Sequence, residues 1–309
     1  MKTCILIYNP NSGHVFKAKY LKEYKYILIK NGYTPKFIAT CYRGHAKEII
    51  SHLEKVDLVI SMGGDGTFNE IVSGNLERKE PLIISHIPVG TTNDIGVMFG
   101  YGKDIKNNLK LLLKGCVKEM DICLINNQPF VYVAGFGKFM QVPYLTPRKL
   151  KKKYGYIAYI IEGIKDYFSP TKLYKITYEV NGITKTGYYS FILISNANRI
   201  AGINNFYRDV KLDDNKFEVL LCNFNHRKDI IKTFSLLMTM DVTKVSGIEF
   251  YKTNNMKIEF EEYPKYSWCI DGEKLNRTSL KYEIKNINNV KIMLPTKNIN
   301  KIFVNKKID

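Results

Sequence analysis

Residues 63–67, Gly-Gly-Asp-Gly-Thr, place three glycines around one carboxylate, directly after an apolar run and directly before a helical pattern. Glycine tolerates positive φ and lets backbone N–H groups approach a ligand with no side chain in the way. Thr67 and Glu70 have capping-box spacing, which predicts a helix amino end immediately after the loop. Free amides and the positive end of the helix dipole make an anion site there. Asp65 is out of place beside an anion. Its carboxylate is explained if the anion arrives with Mg²⁺, or if the acid accepts a hydrogen bond that sets the loop. By itself the loop is equally a tight turn before a helix, because short glycine motifs recur by chance. Two further loops raise the phosphate reading: Asn9-Pro10-Asn11-Ser12-Gly13, and residues 88–94, PVGTTND, where Thr91 and Asp94 repeat the capping-box spacing.

Such loops share a ligand when the elements before them end on one edge. Short β-branched runs at 4–8, 35–40, 57–62 and 82–87 alternate with helical patterns at about 16–30, 44–56 and 104–114, and a helix through Phe68, Ile71, Val72 and Leu76 follows the middle loop. This alternation predicts βαβ units around a mostly parallel sheet, whose loops gather at its carboxyl edge. From about residue 119 the pattern changes to strands joined by tight turns, with Asn126-Asn127-Gln128 and Asn181-Gly182 as hairpin signals and helices at about 147–168 and 226–240. The expected organisation is an α/β domain over 1–122 and a β-rich domain over 123–294.

Three acidic sites remain. Asp213 and Asp214 sit in a turn before a strand, where a solvated turn is the default. Asp271-Gly272 reads as a hairpin turn with Glu273 just past it. Asp121 lies where the first domain hands over to the second, and is either a cleft acid or a surface acid at a strand start.

Lys and Arg number 47 against 29 acidic residues, a net charge of +18. Such a surface seeks nucleic acid, nucleotide phosphates or an anionic membrane, and charge alone does not choose. Six cysteines without a CxxC pair and five scattered histidines predict a reduced intracellular protein without a zinc site. The apolar run after Met1 is too brief for a signal peptide, and no run approaches ~18 apolar residues, so any membrane contact is expected to be peripheral.

Taken in order, NPNSG, GGDGTFNE, PVGTTND, TPRKLKKKYGYIAY, the KLDD turn and IDGE resemble the diacylglycerol kinase catalytic-domain family, particularly the compact bacterial diacylglycerol kinases and the related sphingosine kinases, over nearly the whole chain. The resemblance implies an α/β domain like those of NAD kinase and phosphofructokinase, then a C-terminal β-sandwich, with residues 295–309 returning to the first domain and an active site in the interdomain cleft. It implies ATP, held by Asn9, Pro10, Asn11, Ser12, Gly13, Thr40, Gly63, Gly64, Asp65, Gly66, Thr67, Phe68, Asn69, Glu70 and Thr91. It implies Glu273 as general base on a lipid hydroxyl, with Asp65, Asp94 and Asp121 ordering the catalytic Mg²⁺ and its waters. A second Mg²⁺ would use Asp214 and the carbonyls of Lys211 and Lys216. Asn215 departs from a frequent glycine, although asparagine tolerates the same left-handed backbone, and Tyr132 stands where asparagine is frequent.

The resemblance makes the partner a membrane lipid, most directly diacylglycerol, with the protein cytoplasmic and on the inner face of the membrane. The basic run 148–153 followed by Tyr154, Tyr156, Ile157, Tyr159 and Ile160 is the expected membrane contact, weighed against a core helix with a solvated lysine face. Other lipid acceptors, a soluble-substrate kinase such as NAD kinase, and a basic non-catalytic module are the rival readings. No RNA-binding motif is present, so nucleic acid is not expected as a partner. Homodimerisation is left open.

Overall fold

The computed structural model describes residues 1–12, 18–90, 93–140, 142, 170–200, 203–204, 207, 209–224, 247–275 and 278–304. The chain forms two compact units, one of Met1–Asp121, Leu212–Asp214 and Asn288–Asp309, the other of Ile122–Lys211 and Asn215–Ile287. The return to the first unit thus begins at Asn288 instead of 295, and the short Leu212–Asp214 segment joins it as well.

In the first unit, β1 (Lys2–Tyr8), β2 (Tyr33–Ala39), β3 (Leu58–Gly63) and β4 (Ile84–Pro88) form a parallel sheet in the order β2-β1-β3-β4. Every residue of β3 and β4 is buried, the pattern of central strands covered on both faces. The helices between them are α1 (Ala18–Lys30), α2 (His45–Ser51) and α3 (Asp65–Leu76), followed by α4 (Asp94–Met98) and α5 (Ile105–Leu113). Asp104 caps α5 by accepting from the N–H groups of Lys106 and Asn107. Next, β5 (Cys116–Ile125) carries the chain out of the unit.

The capping box expected at α3 does not form. Gly64 is the extended N-cap of α3, so the helix starts at Asp65 and Thr67 lies within its first turn. The Thr67 side chain instead covers Gly63, where a Cβ would stand 2.5 Å from the Thr67 hydroxyl. At α4 the N-cap is Asn93, in the left-handed region at φ 54. Its side chain accepts from the Gly90 N–H at 2.6 Å and donates to the Gly90 carbonyl at 2.9 Å, closing the loop on itself.

The second unit is a β-sandwich. Its strands are β6 (Gln128–Phe130), β7 (Val133–Gly137), β8 (Tyr174–Val180), β9 (Ile183–Tyr189), β10 (Phe191–Ser195), β11 (Arg199–Ile200), β12 (Ile203–Asn204), β13 (Phe217–Cys222), β14 (Ile248–Thr253), β15 (Asn255–Phe260), β16 (Cys269–Ile270), β17 (Glu273–Lys274) and the start of β18 (Lys281–Leu294). One antiparallel sheet runs β14-β13-β10-β7-β16-β17, the other β18-β15-β8-β9. Between them lies one aromatic-rich core in which Phe136, Tyr174, Phe260, Trp268 and Tyr282 pack edge to face or tilted. The three expected hairpin turns form with both central residues at positive φ: Asn126-Asn127 (45, 66), Asn181-Gly182 (50, 74) and Asp271-Gly272 (46, 85). The end of β18 lies beside β4, with Ile292 opposite Ile84, and the chain continues through Thr296–Asn298 into α6 (Ile299–Ile302) in the first unit.

Candidate active site

Four parallel strands end on one edge of the first unit, and their loops are bonded to one another. The Asn9 N–H donates to the Met62 carbonyl at 3.2 Å, and the Thr40 N–H to the Tyr8 carbonyl at 2.8 Å. Within the first loop, Ser12 donates to the Asn9 carbonyl, and Asn11 to the Asn9 side chain. The Val89 N–H reaches the Gly63 carbonyl at 2.8 Å, so the second and third loops leave the sheet as a pair. They touch at glycine: a Cβ on Gly90 would stand 2.7 Å from the Gly64 Cα. Asp65, buried at 8% exposure, accepts from the N–H groups of Asp94 and Ile95 at 3.2 and 3.3 Å, which ties α3 to the amino end of α4. Of the two explanations for this acid, the loop-setting bond is thus present. The amino end of α3 has no side-chain cap, so its first-turn amides point along the axis toward the same edge.

Phe68 lies in the core, and Glu70 braces the start of α2. Phe68 is fully buried, stacked on His86 at 4.8 Å and edge-on to Phe99. Burial pulls the His86 pKa down to about 3, so the ring is a neutral platform whose Nδ1 lies 3.3 Å from the Ser61 hydroxyl. Glu70 accepts from Gly44 and Ala46 N–H groups at 2.8 and 3.2 Å, binding the start of α2 to α3. These side chains brace the loops. The remaining loop residues Pro10, Asn11, Gly66 and Asn69 keep solvent exposure, and Thr40 is nearly buried.

Asp94 and Asp121 are buried at 2% and 1% exposure. Asp121 is therefore not a surface acid; it lies within β5, its N–H bonded to the Leu212 carbonyl at 2.7 Å. Leu212 in turn donates to Ile302 in α6, and Asp213 accepts from the Val304 N–H at 2.6 Å. The turn expected to be merely solvated is thus a strap between β5 and the chain end. Asp214 is half-buried and Asn215 is left-handed at φ 55, while Lys211 and Lys216 belong to the second unit's segments. In that unit Asp271 is far more than an ordinary turn residue. It is 5% exposed and accepts from Val131, Tyr132 and Val133 N–H groups at 2.7, 3.1 and 3.0 Å. This fixes the hairpin whose next strand opens with exposed Glu273.

Two oxygen-rich and amide-rich features fit a metal-bound polyphosphate: the side-chain-free Gly64–Gly90 contact beside an uncapped helix, and the buried carboxylates of Asp65 and Asp94 behind it. Among the described residues no three His, Cys, Asp or Glu side chains converge on one point. Mg²⁺ takes one or two carboxylates and completes its shell with water and phosphate.

A model of the diacylglycerol kinase catalytic domain matches residues 3–125. A diacylglycerol kinase of Staphylococcus aureus (strain JH9) is 30% identical over 275 residues, covering 88% of this chain and 86% of that one. The chain belongs to the diacylglycerol kinase family. It is an enzyme, a lipid kinase, by that membership. A diacylglycerol kinase of Bacillus subtilis (strain 168) is 29% identical over 278 residues, covering 88% and 90% of the two chains. The fold matches a crystal structure of a diacylglycerol kinase from Bacillus anthracis str. Sterne with a TM-score of 0.77 at 21% identity, over 95% of this chain and 97% of the other.

For this lipid kinase, Gly13 and Thr91 lie outside the described residues, as do the helices expected at 147–168 and 226–240 and the basic run 148–153. Two supports escaped the sequence reading. His86 carries no motif, and only its place in a fully buried strand beneath an aromatic could have marked it. Asp271 was hidden because an Asp-Gly turn needs no buried partner to form. The Tyr132 departure is absorbed: its side chain is buried, while its N–H goes to Asp271 and its carbonyl accepts from Asn196.

Proposed function

We propose that this kinase transfers the γ-phosphate of ATP to a lipid hydroxyl, with diacylglycerol as first acceptor and phosphatidic acid as product. The terminal phosphorus–oxygen bond of ATP breaks, a new one forms to the acceptor oxygen, and ADP leaves. The observation that carries the reading is the joined pair of loops at the sheet edge, glycine against glycine, beside the uncapped amino end of α3. Phosphoryl transfer depends on position and charge stabilisation more than on covalent help from the protein. Amides of Gly64, Asp65 and Gly66 bind phosphate oxygens, and Asn9 to Ser12 and Thr40 line the nucleotide. Asp65, Asp94 and Asp121 would hold a bound cation, and Glu273 takes the acceptor proton. Bound Mg²⁺ would supply neutralisation of the phosphate charge. Asp214 with the carbonyls of Lys211 and Lys216 is the proposed second cation site. The enzyme works from the cytoplasmic side, peripherally bound, and no helix among the described residues is long and apolar enough to cross a membrane.

Labelled ATP with a panel of acceptors in mixed micelles tests this: diacylglycerol, ceramide, sphingosine, polyprenol, phosphatidylglycerol and, as the soluble control, NAD. Labelled phosphatidic acid, dependent on Mg²⁺, is expected. Label in another lipid alone moves the acceptor, and label in NAD alone overturns the lipid reading.

A further inference from the structure

Tyr42 carries an aromatic ring that is left in water and yet held still. It is 55% exposed, and its ring lies on that of His45 with centroids 4.6 Å apart and planes 15° from parallel. The Tyr42 hydroxyl donates to the Glu48 carboxylate at 2.5 Å, and His45 Nδ1 accepts from the Cys41 N–H at 3.0 Å, so neither ring turns freely. Of the two stacked ring pairs among the described residues, the other, Phe68 on His86, is buried in the core. With imidazole against one face of Tyr42, the rest of its exposure falls on the rim and the opposite face.

The turn itself does not need that ring. It is already closed by the Thr40 N–H on the Tyr8 carbonyl, by the His45 N–H on the Tyr42 carbonyl, and by Glu70, which takes the Gly44 and Ala46 amides. An aromatic ring fixed in advance loses little freedom when a flat partner settles on it, and that saving appears as affinity. Other exposed tyrosines stand elsewhere: Tyr26 on α1, Tyr188 on β9 and Tyr263 in the second unit. Tyr42 differs from them in following a strand of the parallel sheet, two residues past Thr40. Two links then fix its place against the phosphate loops. Thr40 hangs from Tyr8, the residue before Asn9. Glu70, which pins the start of α2, lies about 7.5 Å along α3 from Asp65, and that setback leaves room for a sugar between the ring pair and the amides at the helix start.

We propose that Tyr42, backed by His45, is the platform on which the purine base of the nucleotide stacks. Stacking on an aromatic side chain ignores the hydrogen-bonding pattern of a base and follows its stacking strength, so the site selects purine over pyrimidine and does not separate adenine from guanine. The inference deepens the ATP reading and rests on it.

Calorimetric titration of the full chain with Mg²⁺ present compares ATP, GTP, CTP, UTP and inorganic tripolyphosphate. The parent should bind ATP and GTP more tightly than CTP and UTP, and tripolyphosphate more weakly than any of them. Tyr42→Ala is expected to weaken ATP by about five- to a hundred-fold, the range for one stacked base, and to leave tripolyphosphate at the parent affinity. Tyr42→Phe keeps the ring and should hold ATP near the parent value. If Tyr42→Ala fails to fold, Tyr42→Leu replaces it, keeping bulk without a π-face, and the same split is expected. Parent-like ATP affinity in the ring-less variant overturns the proposal. So do an equal loss for tripolyphosphate, which would make the ring a brace for the loops, and a parent that binds CTP as tightly as ATP. Each of these outcomes leaves triphosphate binding by the parent, and so the kinase reading, in place. A parent that binds no triphosphate overturns both.

Discussion

Asp65 and Asp271 perform one physical task in two different units. Both follow the end of a strand, both are buried, and both accept backbone amides from a distant segment of chain. The bonds differ. Asp271 takes three, at 2.7 to 3.1 Å, near the 2.7–2.9 Å range of a charge-assisted bond. Asp65 accepts from the Asp94 and Ile95 N–H groups at 3.2 and 3.3 Å, at the very amino end of a helix. The amide bonds to Asp271 are the shorter set, and those to Asp65 stand at the loop edge proposed to take phosphate. A glycine-flanked aspartate thus carries one meaning in a hairpin and another at a helix start, and bond length separates them.

The largest effect that could break this comparison comes from Glu273, two residues past Asp271. It is exposed and opens β17, so Glu273→Gln should melt like the parent. Its turnover is expected to fall ~10²–10⁴-fold, the size of a lost general base. Near-parent turnover would remove Glu273 from the chemistry and leave the hairpin with a structural role only.

Asp271→Ala should do the reverse. It strips three backbone N–H groups of their acceptor, two of them buried, and a buried one left unsatisfied costs about 1–3 kcal/mol. A loss of roughly 3 kcal/mol or more in urea unfolding is expected, with the residual activity of the folded fraction limited by misplacement of Glu273. Asp65→Asn sharpens the contrast: the amide oxygen keeps only one of the two N–H groups of α4, so a stability loss smaller than that of Asp271→Ala is expected while turnover drops. If Asp65→Asn is as destabilising as Asp271→Ala, the two carboxylates are equivalent and Asp65 belongs to the fold.

Gly90→Ala is the next in size. Its Cβ meets the Gly64 Cα, a backbone atom that cannot swing aside, and overpacking of this kind costs about 1–3 kcal/mol. Because the strain falls between the two loops proposed to hold phosphate, KM for ATP should rise more than kcat falls. An unchanged KM would mean that the loop contact is not part of the nucleotide site.

The parallel α/β half was legible because β1, β3 and β4 are mostly apolar runs and α1 closes at Asn31-Gly32. The sandwich was legible at its turns, where Asn-Asn, Asn-Gly and Asp-Gly specify positive φ. What the sequence did not disclose were long-range acceptor choices. Thr67 and Glu70 have the spacing of a local cap, yet Gly64 starts the helix and Glu70 serves α2, 24 and 26 residues upstream. Local spacing cannot weigh a tertiary partner of that kind. The same limit hid the strap through Leu212 and Asp213, which joins β5 to the chain end across about ninety residues.

The smallest effect concerns a third buried-edge carboxylate, Glu249 in β14, which bridges the two sheets of the sandwich. Partial burial raises its pKa, but hydrogen bonds from Tyr178, Tyr189, Lys185 and Tyr251 outweigh that and hold it at about 2, below the ordinary 4.5. A depressed folded-state pKa contributes stability that is complete above the unfolded value and is lost as pH falls toward the folded one. The acid limb of the stability curve should therefore steepen between about pH 4.5 and 2, and Glu249→Gln should flatten that limb while lowering stability modestly at neutral pH. Urea midpoints at neutral pH and near the lower limit separate the cases. An acid limb of unchanged slope in the variant would assign the acid sensitivity to other carboxylates.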